Sequence, residues 1–396
     1  MRRALVGTGA IGLALLLAIS GTGQEATVKI GFLGPLSGPF AIWGVNARDA
    51  MRMAASEINE AGGVAGRRVQ IVERDDRNSP AEAATALRAL VERERVVAAG
   101  GLVSSDVALA VSREAELLKV PVFLTMAGSH AILRRQTRFT FRTCLIPAPS
   151  FIDAVFSYVR YRRLSRVGAL IADYAWGHAI REALEQQVQR SGSARLHVEI
   201  APVGTSDFTP YLRRLQGFGP ELIVATGHPP GQPVIVRQAA ELGMAQLIVG
   251  SSQVPEIMVQ RAGEAVFGRF LDYSCVDFTS RAFREMASKY YRLYKRHFDS
   301  SAFSGYVIVK MVAEAVSKTG SSSGETVAGH IRRARFVHPA GAFALAYTEW
   351  GELREARPIF YTIERGEAPE GVCPGCGWAQ KYQFRSEPIR AYVPEE

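Results

Sequence analysis

Val28-Lys29-Ile30-Gly31-Phe32-Leu33 is the run from which the fold can be read. It is a short, β-rich segment, and the chain beyond it changes to a helical period. Met51, Ala54, Ala55 and Ile58 fall on one helical face, and Gly62-Gly63 stop that helix where the chain must turn back. Further strands are expected at 68–73, 96–99 and 122–124, separated by helices near 80–94 and 105–119, with the first helix at 44–61. This βαβαβαβ order predicts a mostly parallel sheet with helices on both faces.

A second series begins after Phe139–Arg142 and the Pro147/Pro149 loop. Strands are expected at 167–172, 194–200, 222–225 and 247–249, with helices near 176–190, 207–216 and 232–242. Beyond Cys275 come long helical stretches at 279–297 and 303–318, a Ser/Gly loop at 320–324, and late strands near 341–347 and 358–364. Residues 367–396, rich in Pro, Gly and charge, read as an extended tail. Two α/β lobes of similar order suggest a cleft binder, since open parallel sheets present ligands at the carboxyl ends of their strands.

Composition narrows the classes. The chain has 396 residues, too many for one small domain, and its 47% hydrophobic and 21% charged content excludes wholesale disorder. The formal charge of +9 is dispersed, with basic clusters at Arg134/Arg135/Arg138, Arg160/Arg162/Arg163/Arg166 and Arg332/Arg333/Arg335. They are scattered across the chain rather than gathered into one basic stretch, so they read as solvated surface and no nucleic acid is expected. Neither GxSxG nor a phosphate-binding GxxxxGK[ST] occurs. The histidines show no metal-ligand spacing, and neither a metal nor another cofactor is expected.

Residues 1–23 have the parts of a secretory leader: Arg2 and Arg3, an uncharged apolar run from Ala4 to Ile19, and the small exit Ser20-Gly21-Thr22-Gly23. The run is too short for a membrane span of ~20 residues. Gly7, Gly9 and Gly12 spell GxGxxG, but no acid stands about twenty positions on to hold a ribose, so a dinucleotide turn is rejected. The expected location is therefore periplasmic.

Several separated motifs then agree. Lys29 to Gly38 (KIGFLGPLSG), Trp43-Gly44, Glu57-Ile58-Asn59, Gly62 to Gly66 (GGVAG) and Val72 to Asp76 (VERDD) resemble the branched-chain amino-acid binding proteins of ABC importers. Gly101 to Ser105 (GLVSS), Asp207-Phe208 and Tyr347 to Leu353 (YTEWGEL) continue the likeness to about Gly366. The resemblance implies two Rossmann-like lobes, the type I periplasmic-binding-protein fold, joined by three hinge crossovers near 143–148, 272–278 and 338–345. Lobe one would combine 24–142 with 279–338, and lobe two 149–271 with 345–366. It also implies a permease and an ATPase as partners and no enzymatic activity. A ligand-sensing receptor of the same fold is the rival class.

Ser104 and Ser105 precede the helix containing Val107, Ala108 and Val111, and a helix N-terminus suits an anion. An N-cap alone would also explain one serine. The resemblance pairs this turn with Ala127-Gly128-Ser129 as a carboxylate clamp, and places Trp43, Trp176 and Phe303 as aromatic walls. Where amino-acid binders carry a glutamate for the ligand's ammonium, this chain reads Gly250-Ser251-Ser252-Gln253, and a family tyrosine is replaced by His228. The expected ligand is a carboxylate or amide with an apolar or aromatic body, a true leucine, isoleucine or valine binder being the alternative. Asp106, Asp173 and Glu256 are candidate substitutes for the missing acid.

Cys373-Pro374-Gly375-Cys376 is expected to form a local disulfide in an exported chain, with metal and redox roles as lesser readings. The family disulfide of the first lobe is absent, Asn78 and Val103 lying near its positions, and Cys144 and Cys275, near two crossovers, are a further candidate pair.

Overall fold

The computed structural model describes residues 27–192, 194–226 and 231–394; the leader expected at 1–23 lies outside them. Two sheets organise the chain. In the first, β1 (Val28–Gly34), β2 (Val69–Asp75), β3 (Ala98–Leu102), β4 (Val122–Leu124) and β5 (Thr140–Arg142) run parallel in the order β2-β1-β3-β4-β5. β3 is Ala-Ala-Gly-Gly-Leu and buried throughout, as a central parallel strand covered on both faces requires. Its crossover helices are α1 (Ala41–Glu60), α2 (Pro80–Glu92) and α3 (Ser105–Leu118).

The second series starts with a helix where the sequence suggests a loop, α4 (Ala148–Tyr161). Pro149 points to a break, but proline is well placed in a helix's first turn, where its missing N–H is no loss. The parallel strands β6 (Arg166–Ala172), β7 (Arg195–Ala201), β8 (Leu222–Thr226), β9 (Leu247–Val249) and β10 (Phe270–Ser274) come after it. Between them lie α5 (Ala175–Ser191), α6 (Thr209–Phe218), α7 (Gln232–Glu241) and α8 (Pro255–Ala262).

After β10 the chain returns to the first sheet. There α9 (Arg281–Tyr294) and α10 (Ser300–Thr319) pack on α1, through Tyr290 Oη donating to the Asn46 carbonyl and Tyr306 Oη to Glu57 (2.5 Å). α11 (Gly324–Arg333) and two short strands, β11 (Arg335–Phe336) and β12 (Leu345–Ala346), come next. Tyr347 to Leu353 also stays with the first sheet. The Tyr347 ring meets Phe141 edge-on, and the Gly351 carbonyl accepts from Arg142 N at 3.1 Å. The last return to the second sheet therefore begins beyond Leu353, later than the expected 338–345. Residues 340–342 instead run beside the second crossover, bonded to Cys275 and Asp277.

The last thirty residues are not a free tail. β13 (Glu355–Ala356) pairs with β16 (Ile389–Arg390), while β14 (Ile359–Arg365) and β15 (Trp378–Arg385) extend the second sheet antiparallel, giving β15-β14-β10-β9-β8-β6-β7. The glycines with Pro369 and Pro374 fall in the 366–377 loop, and Lys381 and Arg385 lie on the edge strand. Among the described residues no helix is long and apolar enough to cross a membrane.

The cysteine expectation is corrected here. Cys373 and Cys376 are free thiols, and the bond joins Cys144 to Cys275, whose Cα atoms are 5.4 Å apart. In the tail, a turn closed by Cys376 N to Cys373 O aims Cys376 Sγ at the Trp378 carbonyl (3.3 Å). The observed bridge pins the first crossover to the second, where Tyr273 Oη also donates to the Cys144 carbonyl at 2.6 Å. It closes a loop of 131 residues that contains most of the second lobe. The Cys144→Ser/Cys275→Ser variant should lose about 2–4 kcal/mol of stability. Urea midpoints unchanged from wild type would contradict a structural role for the bridge.

Candidate functional site

The carboxyl ends of the two sheets face each other, and the turns that leave them meet. α3 begins directly after β3 with Ser104 at its N-cap, and no side chain occupies the cap. The first backbone N–H groups of that helix therefore point outward with the positive end of its dipole. Ser105 Oγ accepts from Ser129 N at 3.1 Å, which locks the α3 turn to the turn after β4. Ser104, Ser105 and Ser129 are all buried.

That second turn is held from behind. Arg142 Nη1 donates to the Ala127 carbonyl (2.6 Å) and Nη2 to the Ser129 carbonyl (3.3 Å), while Nε bonds both oxygens of Glu352 (2.9 and 2.8 Å). The ion pair is fully enclosed, its side chains 0% and 2% exposed. Residues 127–129 are thus fixed by a buried network that ends in the Tyr347–Leu353 segment.

Rings from the other lobe close over these turns. Gly128 lies under Trp176, at the start of α5: a Cβ there would stand 2.2 Å from the ring. Phe151 packs edge-on against Trp176, and Phe40, just before α1, meets Tyr174 at 5.8 Å. Burial and the nearby Asp106 carboxylate push the Tyr174 phenol well above its usual range. Trp43 Nε1 donates to the Ser252 carbonyl at 3.0 Å, a hydrogen bond from one lobe to the other.

Ser252 is a structural link. Its φ of 60° is left-handed, its N–H donates to Asp272 Oδ1 (2.8 Å), and its hydroxyl donates to the Tyr273 carbonyl (3.2 Å). Asp272, on β10, also accepts from Gln253 N (2.6 Å), Tyr273 N (2.9 Å) and Tyr361 Oη (3.1 Å). Burial raises its carboxyl to about 7, against the pull of these donors. Two buried polar atoms at this end lack a hydrogen-bond partner among the described residues: Gln253 Nε2 and Thr226 Oγ1.

The sequence-predicted residues divide accordingly. Trp43, Ser104, Ser105, Ala127, Gly128, Ser129, Trp176 and Ser252 are brought together across the lobes. Phe303 lies deeper, edge-on to His338 at 5.7 Å and beside Gly341 of the crossover region. His228 lies outside the described residues. Of the candidate acids, Asp106 is exposed on the first turn of α3, Asp173 pairs with His178 (2.9 Å), and Glu256 takes the backbone N–H of His297 (3.4 Å). Tyr174, Gln253, Asp272 and Arg142 stand at or behind these turns, and sequence reasoning does not single them out. Only Gln253, inside the quoted Gly250–Gln253 turn, carries a usable signal.

The signature of the periplasmic binding protein family matches residues 27–356. The chain belongs to that family. A Leu/Ile/Val-binding protein homologue from Brucella melitensis is 23% identical over 83% of this chain and 89% of its own length. The branched-chain amino-acid transporter binding protein LivJ of Streptococcus pneumoniae, solved with isoleucine, superposes with a TM-score of 0.76 at 21% identity, covering 93% of this chain and all of its own. A solute-binding protein of an R. palustris ABC transporter, solved with benzoate, gives 0.76 at 18% identity, over 93% of this chain and 98% of its own. The fold and the relatives are those of solute-binding proteins.

Proposed function

We propose that this periplasmic binding protein is exported by its leader and captures a small carboxylate or amide with an apolar or aromatic body, by hinge closure, without converting it chemically. It then delivers the ligand to a membrane permease driven by an ATPase. One observation carries the reading: an anion-accepting turn pair in one lobe is capped by Trp176 and Tyr174 from the other, and the buried acid bonded to the Ser252 turn is already saturated by four donors. Ser104, Ser105 and Ser129 with the α3 amides hold the ligand's oxygens. Trp43, Gly128 and Trp176 flank its body, and Gln253 replaces Ser252 as the polar contact at the far end. Phe303 and His228 are further contacts that the family resemblance implies.

Asp272 is not free to meet an α-ammonium in this closed site, its carboxylate being taken by four donors, and an unpaired buried charge costs several kcal/mol. At 1.4 kcal/mol per decade, aromatic and branched carboxylic acids should bind at least about a hundredfold more tightly than leucine or valine. Calorimetry with benzoate, 4-methyl-2-oxopentanoate, leucine and valine measures this. Tight leucine binding with no response to the acids would establish the second reading, a branched-chain amino-acid receptor, which is favoured by Asp106 standing beside Tyr174.

A further inference from the structure

Away from the inter-lobe site, the 366–377 loop leaves the second sheet and packs on α9 of the first lobe, where a Cβ on Gly371 would press on Ser288. Between α9 and β15 it walls a cleft of about 370 Å³ with an apolar floor of Phe278, Phe283, Val372 and Trp378. His297 also lines this cleft. It is buried, its ring lies 5.3 Å from that of Trp378, and among the described residues neither ring nitrogen meets hydrogen-bond geometry, the Gln380 side chain being its polar neighbour. Burial lowers its pKa to about 4, so the ring is neutral and offers one donor and one acceptor.

The mouth is cationic. Arg284 and Lys381 stand there, and among the described residues neither is paired with a carboxylate; the Arg284 guanidinium donates to the Thr279 carbonyl (2.9 Å). Through Arg284 and Pro369 the cleft continues into an open groove of about 710 Å³ that includes Ser288 and Arg292. Of the acids there, Glu285 is bound to Arg281 (2.7 Å), and Glu370 lies on the loop. None of the residues gathered at the inter-lobe site lines either space.

An apolar slot of pocket size, a buried polar side chain without a partner inside it and unpaired cations at its mouth together define an amphiphilic anion site. We infer that this cleft is a second ligand site, for an acyl or aryl carboxylate, with the chain or ring on Phe283 and Trp378, His297 at its depth and the carboxylate at Arg284 and Lys381.

Octanoate is the probe, titrated calorimetrically and by native mass spectrometry into the wild-type protein and the surface variant Arg284→Glu/Lys381→Glu. The wild type should bind one more octanoate per chain than the variant, while thermal midpoints match. Equal stoichiometry and affinity in the two proteins, or no octanoate binding to the wild type, would overturn the assignment. Because the readout is a difference of one site, its failure is separate from any failure of the inter-lobe reading, which the acid panel tests.

Discussion

Glu352→Ala should cost about 3–5 kcal/mol of stability and abolish ligand binding. The reason lies in what Arg142 holds. Its guanidinium is 0% exposed, and without Glu352 it would be a buried charge facing only the carbonyls of Ala127, Ser129 and Leu145. Removing one member of a buried pair is far more destabilising than replacing both, because desolvation of the remaining charge is no longer offset. The double variant Arg142→Met/Glu352→Leu should therefore regain much of the lost stability. It should not regain binding, since residues 127–129 would have lost their anchor. Urea denaturation and calorimetry on the two variants separate the effects. A wild-type urea midpoint for Glu352→Ala would refute the network's role.

The same network shows why only part of the site is legible in the sequence. Alternating strand and helix periods, with Gly62-Gly63 stopping the first helix, expose the βαβ order, and the serines at 104–105 announce a helix start by residue type alone. Arg142 and Glu352 are 210 positions apart, and no local pattern links them. The Tyr347–Leu353 motif marks the family, but not the purpose of its glutamate. Asp272 escapes for a related reason. A carboxylate inside an apolar strand has no periodic signature, and its partners, the Ser252 and Gln253 amides and Tyr361, come from separate segments. The late strands are misread where local composition conflicts with tertiary pairing: β15 is a partly exposed, polar edge strand that follows a Pro/Gly loop, and those properties also describe a tail. The cysteines mislead likewise. Proximity in sequence favours Cys373 and Cys376, whereas the hinge brings Cys144 and Cys275 within bonding distance.

Gly128→Ala should weaken ligand binding about 5- to 140-fold and leave the fold intact. Gly128 has no left-handed backbone to defend, so a methyl group is tolerated by the turn itself. The main obstacle is on the opposite lobe: the added Cβ would lie 2.2 Å and 2.6 Å from Trp176 Cζ3 and Cε3, while Leu145 Cδ2 of the crossover, at 2.9 Å, is the end of a flexible side chain that can move aside. Since Trp176 belongs to α5 and Gly128 to the turn after β4, the overlap with the ring exists only when the lobes close. Overpacking of this kind costs about 1–3 kcal/mol, which at 1.4 kcal/mol per decade gives the stated range. Trp176→Ala removes the overlap but also the ring that covers the clamp, so it should bind weakly by itself. In the double variant the Gly128→Ala penalty should disappear, so that Gly128→Ala/Trp176→Ala binds no worse than Trp176→Ala. A Gly128→Ala protein with wild-type affinity, or a penalty that persists without Trp176, would mean that the two lobes do not close on the ligand through this contact.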